Sequence, residues 1–459
     1  MTSTSMPARA RFRRTAGAGV AVLAAAALTL QVGSTPTPAD AASSGVQVPG
    51  SFFGMHAAAV GGTLDASQLA GLAKTAGIGS IELLSNGSEW AVVQPVDGPA
   101  DYTIFDQAIA NIASTSTTSP IKDINVVLTG TPEWAARNAA RAGEPSPGYS
   151  SPPADKNKWS AYVEGIVNHC ISIPACKANV KSFQIWSEAN LLSRWYGTGD
   201  ELASLTKLAQ LKIAAANAAN GTRFKVVAAS TTVRLQGLGT GTFYSNYLKG
   251  LKARAWPVDA FAFHGYPKAS GTPVNRQSLI GYLKNVLRAA GAPAKPLWDG
   301  EVNYGVPGPG TDPYRALDNA TGAAYLSRTF LDSLRLGISR VYLSAWMAKP
   351  LTNPVYGVTL YPSTPGAKAL KTTYGWLAGK WYRGCTTSTT SVGKLVTCKV
   401  SVTMSPGSSS ATIAYSEGGL RKVTVPVNGK RRCTLLNGCT AAKPGSVVSV
   451  GQSPVWFGP

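Results

Sequence analysis

Short apolar runs alternate with longer stretches of helical period along most of this chain. Eight strand-like runs stand out, at 51–56, 80–84, 124–129, 182–186, 224–229, 260–264, 296–298 and 340–346. Several intervening segments, such as 202–217, 279–290 and 323–336, are rich in alanine or leucine and amphipathic. Strand and helix alternating in this way predicts an α/β protein, and eight units suit a closed (β/α)8 barrel. A doubly wound open sheet is the alternative arrangement. It fits less well, because polar residues of chemical interest end many of the strands and no glycine-rich phosphate loop is visible.

After Gly379 the pattern changes. Helical period stops, and Thr, Ser, Val, Gly and paired cysteines take over, with short alternating segments at 411–415 and 422–427. Residues 380–459 therefore read as a small all-β, sandwich-like domain, and 42–379 as the barrel. No internal repeat is evident. At the other end, Arg9, Arg11, Arg13 and Arg14 precede an apolar stretch, Gly17 to Leu30, and Ala39-Asp40-Ala41 supplies small residues. That order predicts a secretory leader over 1–41 and an exported protein. No later segment reads as a membrane span.

Composition sharpens this picture in two respects. The six cysteines fall in near pairs, Cys170 with Cys176, Cys385 with Cys398 and Cys433 with Cys439. In an exported chain they read as three local disulfides; free thiols or a zinc site are the alternative, although no CxxC pair is present. The chain is also strongly basic, with 43 Lys and Arg against 22 Asp and Glu. From Trp381 onward nine basic residues face a single acid, Glu417. Such a tail suits an anionic cell-wall polymer, or is simply a solvated face. Nucleic acid is not expected, since no binding motif accompanies the charge.

The candidate chemistry sits in two strings. Ile185-Trp186-Ser187-Glu188-Ala189-Asn190 follows the fourth run, and Pro296-Leu297-Trp298-Asp299-Gly300-Glu301-Val302-Asn303 contains the seventh. Each brings a glutamate to the end of a strand, and the C-terminal mouth is where a parallel barrel does its chemistry. Two carboxyl groups are what glycoside hydrolysis needs: one protonates the leaving oxygen, and the other attacks the anomeric carbon or activates water. The expected substrate is a carbohydrate, and neither a metal nor another cofactor is required.

The order of these motifs resembles the clan A barrel glycosidases, with glycoside hydrolase families 39 and 5 nearest. Gly54-Met55-His56, Ser88-Glu89-Trp90, Thr131-Pro132-Glu133-Trp134, Phe263-His264-Gly265-Tyr266 and Ala345-Trp346 add to the likeness, which runs through most of residues 50–380. The resemblance implies that Glu188 is the general acid/base and Glu301 the nucleophile of a retaining enzyme. It further implies that Tyr266 holds the nucleophile, that His264 and His56 line the sugar subsite, and that Trp346 forms its floor. Trp134, with Trp90 and Trp195, would extend the cleft, and Asn190 keeps its family position.

The chain also departs from that pattern. Ser187 stands where an asparagine usually binds the sugar 2-hydroxyl, and Ala189 replaces a proline. No arginine appears on strand two, where Ile81-Glu82-Leu83 stands and Glu82 offers a polar contact instead. These losses leave two other readings in play. One is a non-catalytic carbohydrate- or wall-binding protein on a degenerate barrel. The other is an adhesin-like protein that works through its basic β domain.

Overall fold

The interior of the barrel is unusually polar, and the strand sequences show why. The structure is a computed structural model. It describes residues 45–57, 72, 77–85, 87–114, 121–143, 145–234, 240–308, 312–347, 354–391, 393–405 and 409–459. The expected leader, 1–41, lies outside the described residues. Eight parallel strands form one sheet: Phe53–Ala57 (β1), Ser80–Leu83 (β2), Asp123–Leu128 (β3), Val180–Ile185 (β4), Lys225–Val227 (β5), Phe261–His264 (β6), Leu297–Val302 (β7) and Ile338–Leu343 (β8). Each strand pairs with its chain neighbour and β1 with β8, while bridges Val227–Ala260 and Thr232–His264 join β5 to β6. The sheet is therefore a nearly closed barrel, its seam between β5 and β6 held by those bridges.

Side chains alternate across each strand. Met55, Ile81, Ile124, Val126, Phe183, Ile185, Phe263, Val341 and Leu343 belong to the apolar layer beneath the helices. A separate buried group, Val227, Ala260, Ala262, Trp298 and Tyr342, fills part of the interior. Below it, Arg340 lies 4.2 Å from the Trp298 ring and binds Asp123 at 2.5 Å. The alternate positions Ser80, Glu82, Asn125, Ser182, Gln184 and His264 are all buried and polar. Gly54 accommodates Tyr342 here, because a Cβ at Gly54 would stand 2.4 Å from the Tyr342 ring.

Helices Thr103–Ser114 (α1), Lys156–Ser172 (α2), Gly199–Asn220 (α3), Ser245–Ala253 (α4), Pro273–Ala289 (α5), Asn319–Arg335 (α6) and Pro365–Leu377 (α7) follow β2 to β8 in turn. Several strand ends differ from expectation, and two of the differences touch candidate residues. β7 runs past Trp298 to Val302 and so contains Glu301, while β8 stops at Leu343 and leaves Trp346 in a loop bridged to Leu360.

The C-terminal region is all-β. Trp381–Thr390 (β9), Gly393–Ser401 (β10), Ser410–Ser416 (β11), Arg431–Thr434 (β13), Gly438–Ala441 (β14) and Val455–Gly458 (β16) form an antiparallel sheet. The edge strand Val46–Gln47 joins it, and Arg421–Thr424 (β12) pairs with Val447–Val450 (β15) separately. Ala414, Val423, Val425, Val450, Val455 and Phe457 pack together as one small core. Cys398, Ile413, Tyr415 and Cys433 belong to the main core instead. All three disulfides pair as expected, Cys170–Cys176, Cys385–Cys398 and Cys433–Cys439.

Candidate active site

Glu188 reaches the barrel mouth through a strained turn. Trp186 and Glu188 adopt left-handed backbone, with φ of 75° and 48°. That conformation costs a non-glycine residue about 1–2 kcal/mol and persists where the surroundings impose it. Here the loop after β5 imposes it. Ser230 Oγ accepts from the Glu188 amide at 3.1 Å, and the Ala189 amide donates to Ser230 O at 3.2 Å. Asn190 binds the Thr232 backbone twice, donating to its carbonyl at 3.1 Å and accepting from its amide at 3.0 Å. Ser187 is buried, with its Oγ 3.5 Å from Ser230 Oγ.

Glu301 owes its direction to a bulge. Asp299 pairs with Phe263 and Glu301 with His264, so Gly300 is the extra residue. An inserted residue re-aims the side chain that follows it. Asp299 consequently turns to α5, where Arg276 binds it at 2.5 Å and the Gly265 amide donates at 2.8 Å. Glu301 points instead to the mouth, beside Glu188.

His264 links the two glutamates. Its Nδ1 lies 3.0 Å from Glu188 Oε1 and 3.7 Å from Glu301 Oε1. His56 Nε2 stands 3.2 Å from Glu301 Oε1, and the Tyr266 hydroxyl donates to Glu301 Oε2 at 2.8 Å. Burial opposes charge on Glu301, but His264, His56 and the Tyr266 hydroxyl outweigh it and hold its carboxyl below the usual range. Burial likewise opposes charge on His264, yet Glu301, Glu188 and Glu82 raise it to about 10, so it is an imidazolium at neutral pH. Burial is the largest influence on His56 and pushes it down. It also raises Glu82, to about 8.

The structure thus gathers Glu188, Glu301, His56, His264 and Tyr266 into one cluster, with Ser187 and Asn190 in its supporting turn. Trp346 is buried just beyond β8, and its Nε1 has no hydrogen-bond partner among the described residues. Trp134 meets Trp90 edge-on, donates to Gln94 O at 2.8 Å and lies under Lys158, away from the carboxylates. Trp90 and Trp195 are buried in the core. Two residues near the cluster escaped the sequence reading. Arg194, half-buried in the loop after Glu188, lowers both Glu301 and His56 by its charge; the only signal was one arginine just behind the glutamate motif. Tyr356, which binds Ser344 Oγ at 3.1 Å and feels both Glu301 and Glu188, carried no signal at all. His56, Glu82 and Glu301 each bring a ligand atom within 4.8 Å of the others, close enough to reach one cation.

Several solved structures that resemble the chain are glycosidases. A GH39 β-xylosidase from Caulobacter crescentus matches with a TM-score of 0.58 at 15% identity, over 90% of this chain and 98% of its own. A monomeric β-xylosidase from Caulobacter crescentus gives 0.60 at 14% identity, over 90% and 96%. The catalytic domain of the GH30 xylanase C from Talaromyces cellulolyticus gives 0.56 at 11%, over 90% and 97%. No family model matches the chain, and no curated protein matches it in sequence. At 11–15% identity this likeness is one of fold: a (β/α)8 barrel followed by an all-β C-terminal region.

Proposed function

We propose that the protein is an exported retaining glycosidase that cleaves O-glycosidic bonds of a polysaccharide or oligosaccharide, with Glu188 as acid/base and Glu301 as nucleophile. The observation that carries this reading is the His264 ring shared by the two glutamates. One nitrogen within 3.0 Å of Glu188 and 3.7 Å of Glu301 keeps the carboxyls close. That suits the separation of about 5 Å in retaining pairs better than the roughly 6.5–9.5 Å of inverting ones. An ionised Glu301, held by Tyr266 and two histidines, is the state a nucleophile needs. The similar solved structures include xylosidases and a xylanase, which favours β-linked xylose- or glucose-type substrates. Trp346 is the platform for the sugar ring, whose C–H faces stack on an indole.

The test is hydrolysis of a panel of aryl glycosides and wall polysaccharides by wild type, Glu301→Gln and Glu188→Gln. Loss of several orders of magnitude in Glu301→Gln on every substrate, and in Glu188→Gln mainly on poor leaving groups, is expected. A wild type that cleaves nothing yet binds glycans would move the reading to a non-catalytic barrel, which the changes at Ser187 and Glu82 favour.

The β domain is proposed to dock on an anionic wall polymer. Lys394, Lys399, Lys422, Lys430, Arg431 and Lys443 are all exposed on it. Surface attraction of this kind is screened by salt. The full chain should bind immobilised polygalacturonate at low ionic strength and elute as salt approaches about 0.5 M. Salt-independent retention would contradict an electrostatic dock.

A further inference from the structure

Glu82 has no part in the mechanism proposed so far, yet the barrel is built around it. Its side chain is completely buried, on β2 between His56 of β1 and Asn125 of β3. Oε2 accepts from Asn125 Nδ2 at 2.9 Å, and Oε1 has no hydrogen-bond partner among the described residues. On the neighbouring side, His264 Nε2 is equally buried and equally unpartnered. These two atoms converge on one place. A Cβ added to Gly300 would stand 3.0 and 3.2 Å from the Glu82 oxygens and 3.3 Å from His264 Nε2. The bulge glycine therefore leaves a carboxyl group and an imidazole nitrogen facing the same small space.

We propose that Glu82 is a positioning residue: with His264 it forms a buried acid–imidazole pair that orients Glu188 and Glu301 from beneath. This rests on the glycosidase reading and assigns a role to the position where the resembled families carry an arginine. Three observations favour it. First, a buried polar atom without a partner costs about 1–3 kcal/mol, and a small side-chain shift that brought Glu82 Oε1 to His264 Nε2 would remove that cost for both. Second, His264 Nδ1 already contacts Glu188 and lies 3.7 Å from Glu301, so whatever fixes Nε2 also fixes the imidazole against both carboxylates. Third, an apolar residue would serve packing better than a fully buried carboxyl.

The charged and titratable groups around Glu82 come from several strands: His56 beside it on β1, His264 on β6, Asp299 and Glu301 on β7, and Tyr342 on β8. His264 is the cation among them that favours an ionised Glu82, while Glu301 and Asp299 oppose it. Glu82 in turn helps to keep His264 protonated.

The test compares wild type, Glu82→Gln, His264→Gln and the double variant on aryl glycosides of graded leaving-group ability. A positioning role predicts that Glu82→Gln lowers kcat about tenfold to a hundredfold on poor leaving groups and less on activated ones, with KM little changed. The double variant should lose no more than His264→Gln alone, because both act through one imidazole. Uniform loss across leaving groups, additive losses, or a loss explained by a fall in Tm would overturn the proposal and leave Glu82 a packing residue. Should wild type cleave none of the glycosides, the functional reading fails, and NMR titration of the His264 ring decides the proposal by itself. A lower titration midpoint in Glu82→Gln supports the pair, and an unmoved one refutes it.

Discussion

Tyr266 shows how much one hydroxyl can set in this site. Its O–H donates to Glu301 Oε2, a bond that favours the ionised carboxylate and works with the charges of His264 and His56 against burial. Hydrogen bonds to charged groups are worth roughly 1.5–3 kcal/mol. Tyr266→Phe should therefore cost about 10- to 100-fold in kcat/KM. The sign of the pH effect follows from the direction of the shift. Glu301 is depressed in the folded protein and stays ionised to lower pH, so removing the bond raises it and moves the acidic limb of the profile upward. A pH–rate profile with an unmoved acidic limb would show that Tyr266 does not control the nucleophile. At this scale the residues with strand-end motifs were legible from the chain, and the structure brings Glu188, Glu301, His264, Tyr266 and His56 together. Glu82, Arg194 and Tyr356 were not legible as a set, because their importance comes from neighbours supplied by other strands. Asn190 was singled out by motif, and in the structure both ends of its side-chain amide are engaged by the Thr232 backbone.

At the scale of the element, the decisive device is the Gly300 bulge. Without it, Asp299 and Glu301 would share one face of β7 by the two-residue repeat of a strand. With it, Asp299 anchors the strand to Arg276 while Glu301 enters the mouth. The apolar runs made all eight strands visible in sequence, since each strand packs one face beneath helices. They did not show the bulge, which depends on the register against β6 and β8, and the seventh run was read as ending at Trp298 for that reason. Gly300→Ala places a methyl between buried Glu82 and His264, so those side chains or the strand must shift. Overpacking of this kind costs about 1–3 kcal/mol. Thermal unfolding should reveal that loss, and activity should fall at least about tenfold as Glu301 is misdirected. Wild-type activity in a folded Gly300→Ala protein would mean that the bulge is not what aims the nucleophile.

Across the whole molecule, the barrel and the β domain form one compact unit rather than two joined bodies. The change of texture after Gly379 was readable, because helical period gives way there to strand alternation. The depth of the contact was not, since it depends on charged residues of α6 that look solvent-facing in sequence. Arg328, Asp332 and Arg335 are in fact buried. The Tyr415 hydroxyl donates to Asp332 Oδ1 at 2.6 Å, and Arg335 binds Glu417 at 2.9 Å. Gln277 on α5 also donates to Glu417, at 2.8 Å. A chain ending at Gly379 would lose these partners and expose part of the main core, so it should be poorly soluble or unfolded. The full chain should unfold in one calorimetric transition, with the two enthalpies agreeing as two-state behaviour requires. Tyr415→Phe refines the test without cutting the chain: it withdraws one donor from a buried carboxylate and should lower stability by about 1–3 kcal/mol. Because Tyr415 lies outside the catalytic cluster, the kcat of the folded variant should stay at the wild-type level. Two separate transitions in the parent, or a Tyr415→Phe variant of unchanged Tm, would show that the barrel stands by itself and that the β domain is free to serve the wall alone.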